Sequence, residues 1–295
     1  MQSYNKILFT IERLLSKLRI SNAGQHKKLL AFSIILFVSG LAYSVYASQF
    51  ILSDFRWEYL LIIFIIFMPP TIFINAIRYK LTSSLANNPV NLSTALNVSI
   101  LSSAANILPL PGGVMVRLAN LKAPHNTYSH SIMAIYSTSL LWLSLISIYT
   151  GGWLLYFDQY LFGYSLLIPG LGIFLYSSFS INSISNSKLT LMMLIATEIG
   201  SIQIDVIRMF LAFAAIGASI SYSQSSVFSI TSVMGSIISI VPAGLGIREL
   251  FAASISVTVD VQPAHGYIAA SINRIIGLAF ILPISFILIR TIKKK

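Results

Sequence analysis

Two arginines occupy equivalent positions in a segment that the chain carries twice. Pro-Gly-Gly-Val-Met-Val-Arg ends at Arg117, and Pro-Ala-Gly-Leu-Gly-Ile-Arg ends at Arg248. In both copies a glycine follows two residues after the proline and the arginine follows six residues after it, and the copies are 131 residues apart. A guanidinium presents a planar fork of donors that matches a phosphate or a carboxylate. The repeated arginines therefore predict an anion site to which both halves of the chain contribute.

Glycines within the repeated segment predict where the chain turns before each arginine. Proline removes a backbone donor, and glycine adopts torsions that other residues avoid. We expect a short helix to begin near Gly113 in the first copy and near Gly246, just after Gly244, in the second. Because the N–H groups at a helix N-terminus attract anions, these glycines are predicted to line the same site as the two arginines.

Glu249 and Arg274 add two charges that membrane lipid cannot accommodate alone. Glu249 follows Arg248 directly, and adjacent helical residues do not face each other. Glu249 is therefore predicted to pair elsewhere, with Arg274 or Arg208. Arg274 lies about 15 Å inside the last apolar run at 1.5 Å per residue, where an unpaired charge is costly. The two residues are expected either to contact the ligand or to form a purely structural ion pair.

Three more charges follow one face of a single apolar run. Asp205 and Arg208 are three residues apart, so they can neutralise each other on a helix. Glu198 falls near the same face and has no local partner, which makes it the better candidate for proton coupling or headgroup contact. Arg78 and Lys80 close a different run at its predicted cytoplasmic edge, where we expect them to extend to lipid headgroups.

The composition places these charges inside a membrane. Hydrophobic residues make up 56% of the chain and charged residues 9%, with a mean hydropathy of +0.82. A soluble domain carries about 25% charged residues, so the chain is predicted to be an integral membrane protein. We assign the net charge of +11 to membrane topology and anionic lipids rather than to nucleic acid. Cysteine is absent and the four histidines lack metal-binding spacing, so no metal or other cofactor is predicted.

Six apolar runs are long enough to cross about 30 Å of hydrocarbon. They are Leu29–Ile51, Trp57–Ile77, Ser131–Tyr156, Tyr160–Ser180, Leu189–Ile220 and Ala264–Arg290. Two further apolar stretches, 94–121 and 225–258, contain the repeated segment, and each is predicted to be a re-entrant hairpin of two half-helices. The predicted fold class is therefore an all-α polytopic membrane protein with six transmembrane helices and two re-entrant hairpins.

The chain ends and the basic residues predict the orientation. Residues 1–28 show the spacing of an amphipathic surface helix, and 291–295 form a basic tail. With the N-terminus in the cytoplasm, fourteen lysines and arginines lie inside and only Arg56 lies outside. This asymmetry predicts that both termini are cytoplasmic.

The two halves of the chain show the same spacing of spans. The last three spans begin 131–133 residues after the first three. Residues 29–156 and 157–290 are therefore predicted to form an inverted-topology repeat, because the predicted orientation turns the second half over. Secondary transporters are often built in this way.

Both arginine segments resemble those of a known family. NILPLPGGVMVRLANLK (106–122) and SIVPAGLGIREL (239–250) are similar to the motifs of the lysylphosphatidylglycerol synthase transmembrane family of flippase-like proteins, and Asn273-Arg274 fits a later motif. The resemblance covers about residues 29–290. It implies movement of an anionic phospholipid or a polyprenyl-phosphate-linked lipid between the leaflets of a bacterial-type plasma membrane. The site residues that it implies are Arg117, Arg248, Glu249 and Arg274.

Two alternatives to a transporter stay open. A membrane-embedded lipid-phosphate transferase would need a metal-binding carboxylate pair or a nucleophile at the cytoplasmic face. A non-transporting accessory subunit would recruit a glycosyltransferase or an aminoacyl-lipid synthase. The chain has no GxSxG motif, Walker loop or DxD motif, so a transporter is preferred over an enzyme.

Overall fold

The computed structural model describes residues 23–49, 55–106, 112–121, 128–185, 187–233 and 245–293, without the side chains of 23–30, 128–129 and 292–293. This part of the chain is helical and contains no strands. The helices are α1 (Ala23–Ala47), α2 (Trp57–Leu85), α3 (Leu92–Ala105), α4 (Gly112–Leu121), α5 (Tyr128–Tyr156), α6 (Tyr160–Ser185), α7 (Lys188–Ala215), α8 (Tyr222–Val227), α9 (Ile247–Ser256) and α10 (Pro263–Lys293). Short 3₁₀ turns, Phe228–Ile230 and Val257–Val259, extend α8 and α9.

Five of these helices are long and apolar enough to cross a membrane. They are α2, α5, α6, α7 and α10. In α1, whose side chains are described from residue 31, the stretch Ala31–Ala47 is apolar but shorter. The all-α prediction is therefore confirmed for the described residues, and the membrane prediction is supported by five helices. The predicted surface helix of 1–28 and both predicted hairpin tips, 107–111 and 234–244, lie largely or wholly outside the described residues.

Helix α2 continues further than its hydropathy predicts. The apolar run was expected to end at Ile77, but the helix continues to Leu85. The additional turns bury polar residues that bond within the helix, as Thr82 Oγ1 does to the Arg78 carbonyl at 2.9 Å. Arg78 consequently lies seven residues inside the helix end, about 10 Å along its axis.

Two consecutive prolines alter the helical hydrogen bonding within α2 without ending it. Pro69 and Pro70 lack N–H groups, and the preceding segment Ile63–Phe67 adopts a π-helical turn. Thr71 Oγ1 donates to the Phe67 carbonyl at 2.7 Å, next to this irregular segment. Thr71 thereby lies at the centre of α2, with fourteen residues of the helix on either side.

Equivalent turns close α2 and α7. In 83–88 and again in 213–218, the same two backbone hydrogen bonds cap the last helical turn at an offset of 130 residues. Asn87 and Gly217 occupy the matching left-handed position, with φ of 53° and 72°. The next helices then begin at Asn91 and Ser221, whose side chains accept from the third backbone N–H onward. The order and length of the elements therefore recur along the chain.

The described core consists of two apolar clusters, and α2 and α7 contribute to both. One cluster is built mainly from the first half, and Leu194 near the start of α7 joins it. The other is built mainly from the second half, and Ile63 and Met68 near the start of α2 join it. Helices α2 and α7 thus link the two halves of the molecule by exchanging their N-terminal portions.

Candidate anion-binding site

Reciprocal contacts join α2 and α7 at their crossing. Arg78 Nη2 on α2 donates to Ser201 Oγ on α7 at 3.2 Å, and Arg208 Nη1 on α7 approaches Thr71 Oγ1 on α2 at 3.4 Å. Positions 71 and 201 differ by 130, as do 78 and 208. The later residue of each helix meets the middle of the other, so the two helices run antiparallel. Contacts that are exchanged in this manner are those of a two-fold relation.

The first charge cluster consists of Arg78, Glu198 and Arg117. Glu198 is fully buried, and its Oε2 lies 2.6 Å from Arg78 Nη2. Neither oxygen of Glu198 accepts a well-directed hydrogen bond from the described residues, so the contact is a charge pair without aligned donors. Arg117 on α4 interacts electrostatically with both other residues. The prediction that Arg78 extends to the headgroups is wrong, because a buried carboxylate on α7 holds it inside.

Close packing of α3 on α4 positions Arg117. Asn106 Oδ1 accepts from the Gly113 N–H at 3.0 Å, which satisfies one of the donors at the start of α4. Arg117 Nε reaches Ser102 Oγ on α3 at 3.4 Å. The buried Tyr79 of α2 donates to Asn120 Oδ1 at 2.7 Å and thereby ties α4 to α2.

Glycine at position 112 is required by this packing. A Cβ on Gly112 would lie 2.3 Å from the Ala105 carbonyl oxygen, which is backbone and cannot rotate away. We therefore expect Gly112→Ala to lower the free energy of unfolding by about 1–3 kcal/mol, the range for overpacked sites. Gly152→Ala is the matched control, because nothing lies within 4 Å of its Cβ, and it should stabilise helix α5 by about 1 kcal/mol. Equilibrium unfolding in mixed micelles, followed by circular dichroism, measures both, and equal stabilities would contradict the α3–α4 geometry.

The second charge cluster contains a fully satisfied carboxylate. Glu249 is fully buried and accepts two hydrogen bonds from Arg274 Nη1, at 2.8 and 3.0 Å. Its Oε2 also accepts from the N–H of Gly246 at 2.9 Å. Gly246 precedes α9 with φ of 84°, a conformation that favours glycine. Glu249 therefore pairs with Arg274, one of its two predicted partners, and occupies the helix N-terminus that was expected to receive an anion.

Arg208 belongs to the same cluster and contacts three helices. It pairs with Asp205 at 3.4 Å, as their spacing predicts, and its Nη2 donates to Asn273 Oδ1 on α10 at 2.6 Å. Arg248 interacts electrostatically with both Arg208 and Arg274. The second half thus brings three arginines and two carboxylates together.

Each cluster contains one arginine more than it has carboxylates. Within the described residues, Glu198, Asp205 and Glu249 each pair with a different arginine, and no carboxylate lies within 4 Å of Arg117 or Arg248. The Nε of Arg248 is buried without an acceptor in this part of the chain. These two are the arginines that end the repeated segment. Each cluster therefore carries one excess positive charge at the same repeat position.

Among the predicted site residues, the structure distinguishes paired charges from unpaired ones. Arg274 and Arg208 are neutralised by Glu249 and Asp205. Gly113 and Gly246 lie at the starts of α4 and α9, whereas Gly244 lies outside the described residues. Arg78 was not among the predicted site residues. Its equivalence to Arg208 at an offset of 130 is the sequence signal that identifies it.

Two cavities in the described structure lie away from the arginines. One of about 290 Å³ opens between α1, α9 and α10 and is lined by residues such as Tyr43, Gln262 and Tyr267. Another of about 300 Å³ is lined by apolar side chains of α2 and α10. Neither reaches Arg117 or Arg248, and the predicted hairpin tips beside those arginines lie outside the described residues. No group of three or more potential metal ligands occurs in the part that the structure describes.

Comparisons with protein-family models, curated proteins and solved structures find no match to this chain. The resemblance of the two arginine segments to the lysylphosphatidylglycerol synthase transmembrane family therefore stays a prediction from those motifs. The functional argument depends on the geometry of the two charge clusters.

Proposed function

We propose that this protein is a flippase-like transporter that moves a phosphate-bearing lipid or lipid-linked glycan headgroup between membrane leaflets. The observation that carries the proposal is the excess arginine of each cluster, Arg117 in one half and Arg248 in the other. Buried charges are retained in membrane proteins mainly where they pair or bind a ligand. A phosphate headgroup supplies the negative charge that each arginine lacks.

The antiparallel crossing of α2 and α7 supports an inverted-topology repeat for the transporter. In our proposal the N-terminus is cytoplasmic, and the α3–α4 and α8–α9 pairs are re-entrant hairpins that enter from opposite faces. Arg78 and Arg208 lie seven residues from the C-terminal ends of antiparallel helices, so they lie on opposite sides of the bilayer centre. The two clusters then form one anion site in each half of a bacterial-type plasma membrane.

Alternating access in this scheme is a movement of one half against the other about the α2–α7 crossing. The headgroup passes from Arg117 to Arg248, while its hydrophobic tails stay in lipid. The Arg78–Ser201 and Arg208–Thr71 contacts lie between the two sites. Since the two contacts are equivalent, the repeat supplies two related conformations from one set of interactions.

Transport of a labelled anionic lipid tests the proposal. Purified protein is reconstituted into liposomes that contain fluorescent phosphatidylglycerol, and dithionite quenching follows the movement of label between leaflets. Each arginine–phosphate hydrogen bond contributes about 1.5–3 kcal/mol, so Arg117→Ala and Arg248→Ala should each slow transport about 10- to 100-fold. The double variant should reach the rate of empty liposomes.

Arg290→Ala provides the matched control for the loss of one positive charge. Arg290 is exposed near the end of α10 and stacks on Phe286 at 4.2 Å, away from both clusters. Its variant should transport at the wild-type rate. Wild-type transport by the Arg117→Ala, Arg248→Ala double variant would remove the proposed site. Turnover of a lipid in detergent would instead favour a transferase, and a stable synthase partner without transport would favour an accessory subunit.

A further inference from the structure

The buried carboxylates of the two clusters are held in different ways. Glu249 accepts three hydrogen bonds, two from Arg274 and one from the Gly246 N–H. Glu198 is equally buried but accepts none that is well directed from the described residues, although Arg78 lies 2.6 Å away. Hydrogen bonds to an ionised carboxylate hold it in that form. Glu249 is therefore fixed as an anion, whereas Glu198 is held only by the charge of its neighbours.

Position places Glu198 beside the proposed headgroup. The charged groups that act on it are Arg78 on α2 and Arg117 on α4. An anion bound to Arg117 therefore comes within electrostatic range of the Glu198 carboxylate, and like charges in a low-dielectric site repel each other. Neutralising Glu198 removes this repulsion and releases Arg78 from its carboxylate partner. Two guanidiniums then become available to one phosphate group.

We propose that Glu198 takes up a proton from solvent when a phosphate-type anion binds Arg78 and Arg117, so that the first cluster binds an anion and a proton together. The inference rests on the proposed function and specifies its coupling ion. By thermodynamic linkage, protonation of Glu198 strengthens anion binding as much as the anion favours protonation. A proton gradient across the membrane then drives the anionic headgroup in the direction in which protons flow.

Binding of dioctanoyl phosphatidylglycerol to the full-length protein in detergent tests this coupling. Its phosphodiester keeps one negative charge between pH 5 and pH 8, so the probe itself does not titrate. The Kd should increase with pH, by up to tenfold per unit where Glu198 ionises, because one proton is linked to binding. A pH-indicator dye in weakly buffered solution should register up to one proton taken up per probe bound.

Two glutamine variants separate Glu198 from the other buried carboxylate. Glu198→Gln should bind the probe with one Kd throughout the pH range, because its neutral amide stands in for the protonated acid. Glu249→Gln should keep the pH dependence of the wild type. If Glu198→Gln does not fold, the proton uptake of the wild-type protein decides the question alone. The soluble headgroup glycerophosphoglycerol, tested in parallel, distinguishes a lipid ligand from a free phosphodiester.

Distinct outcomes overturn the inference and the proposed function. Saturable binding with one Kd from pH 5 to pH 8 and no proton uptake would overturn the coupling and leave the transporter intact. A pH dependence that survives unchanged in Glu198→Gln would also overturn it. Absence of saturable binding at every pH would overturn both. Equal affinity for glycerophosphoglycerol would retain the proton coupling but count against a lipid substrate.

Discussion

Replacing Arg274 by methionine is expected to lower the free energy of unfolding by about 3–5 kcal/mol, because it leaves the Glu249 carboxylate buried without its cation. Glu249 is fully buried, so water cannot solvate the remaining charge. The single hydrogen bond from Gly246 does not compensate for the loss of two charge-assisted bonds. Equilibrium unfolding in mixed micelles, followed by tryptophan fluorescence, measures the loss.

A second substitution identifies the stranded charge as the cause. Glu249→Gln in the Arg274→Met background removes the charge but keeps an acceptor for Gly246, so we expect most of the lost stability to return. Arg290→Met is the control for loss of an arginine side chain, and it should change stability by about 1 kcal/mol or less, since Arg290 is exposed. An Arg274→Met protein as stable as the wild type would show that the pair does not form.

Arg78 and Arg208 occupy equivalent repeat positions, but their loss should have unequal effects. Arg78→Met strands Glu198, which is fully buried, and is expected to lower stability by about 3–5 kcal/mol. Arg208→Met leaves Asp205, whose side chain is 26% exposed and can be solvated, so its loss should be smaller. The remaining loss in Arg208→Met comes from Asn273, which no longer receives its hydrogen bond.

Two double-mutant cycles measure this difference. Glu198→Gln should recover most of the stability lost in Arg78→Met, because it removes the stranded charge. Asp205→Asn should recover about 1 kcal/mol or less in Arg208→Met, since the Asp205 charge already reaches solvent. The control is the pair of carboxylate substitutions in the wild-type background. Equal recoveries in the two cycles would contradict the difference in burial between Glu198 and Asp205.

The interaction between the two halves also explains why the buried charges are tolerated. Each carboxylate is neutralised by an arginine, and two of the three pairs join different helices: Arg78 with Glu198, and Glu249 with Arg274. Because a buried pair is costly to break, such pairs favour specific packing of the helices that they join. The arginines without a carboxylate are then the groups whose charge a ligand can satisfy. Structural and ligand-binding charges are thus distinguished by their partners and not by residue type.

The sequence by itself determined the helical class, the membrane environment and the recurrence of the arginine segments. Hydropathy is a local property of consecutive residues, so it locates apolar helices reliably. It placed the start of α2 at Trp57, where the structure has it, but ended the helix eight residues early. The polar residues in those last turns are satisfied by helical hydrogen bonds and by packing, which hydropathy does not register.

Only the tertiary structure decided which charges are paired. Glu198 had no local partner in sequence, and its partner Arg78 lies 120 residues away on another helix. Likewise, the spacing of Glu249 left Arg208 and Arg274 open, and packing of α9 on α10 brings Arg274 to it. Coulomb attraction depends on distance in space and on burial, and neither quantity is local in the chain. Chain order therefore located the arginines, and the folding of α7 against α2 and of α9 against α10 determined which of them keep an unbalanced charge.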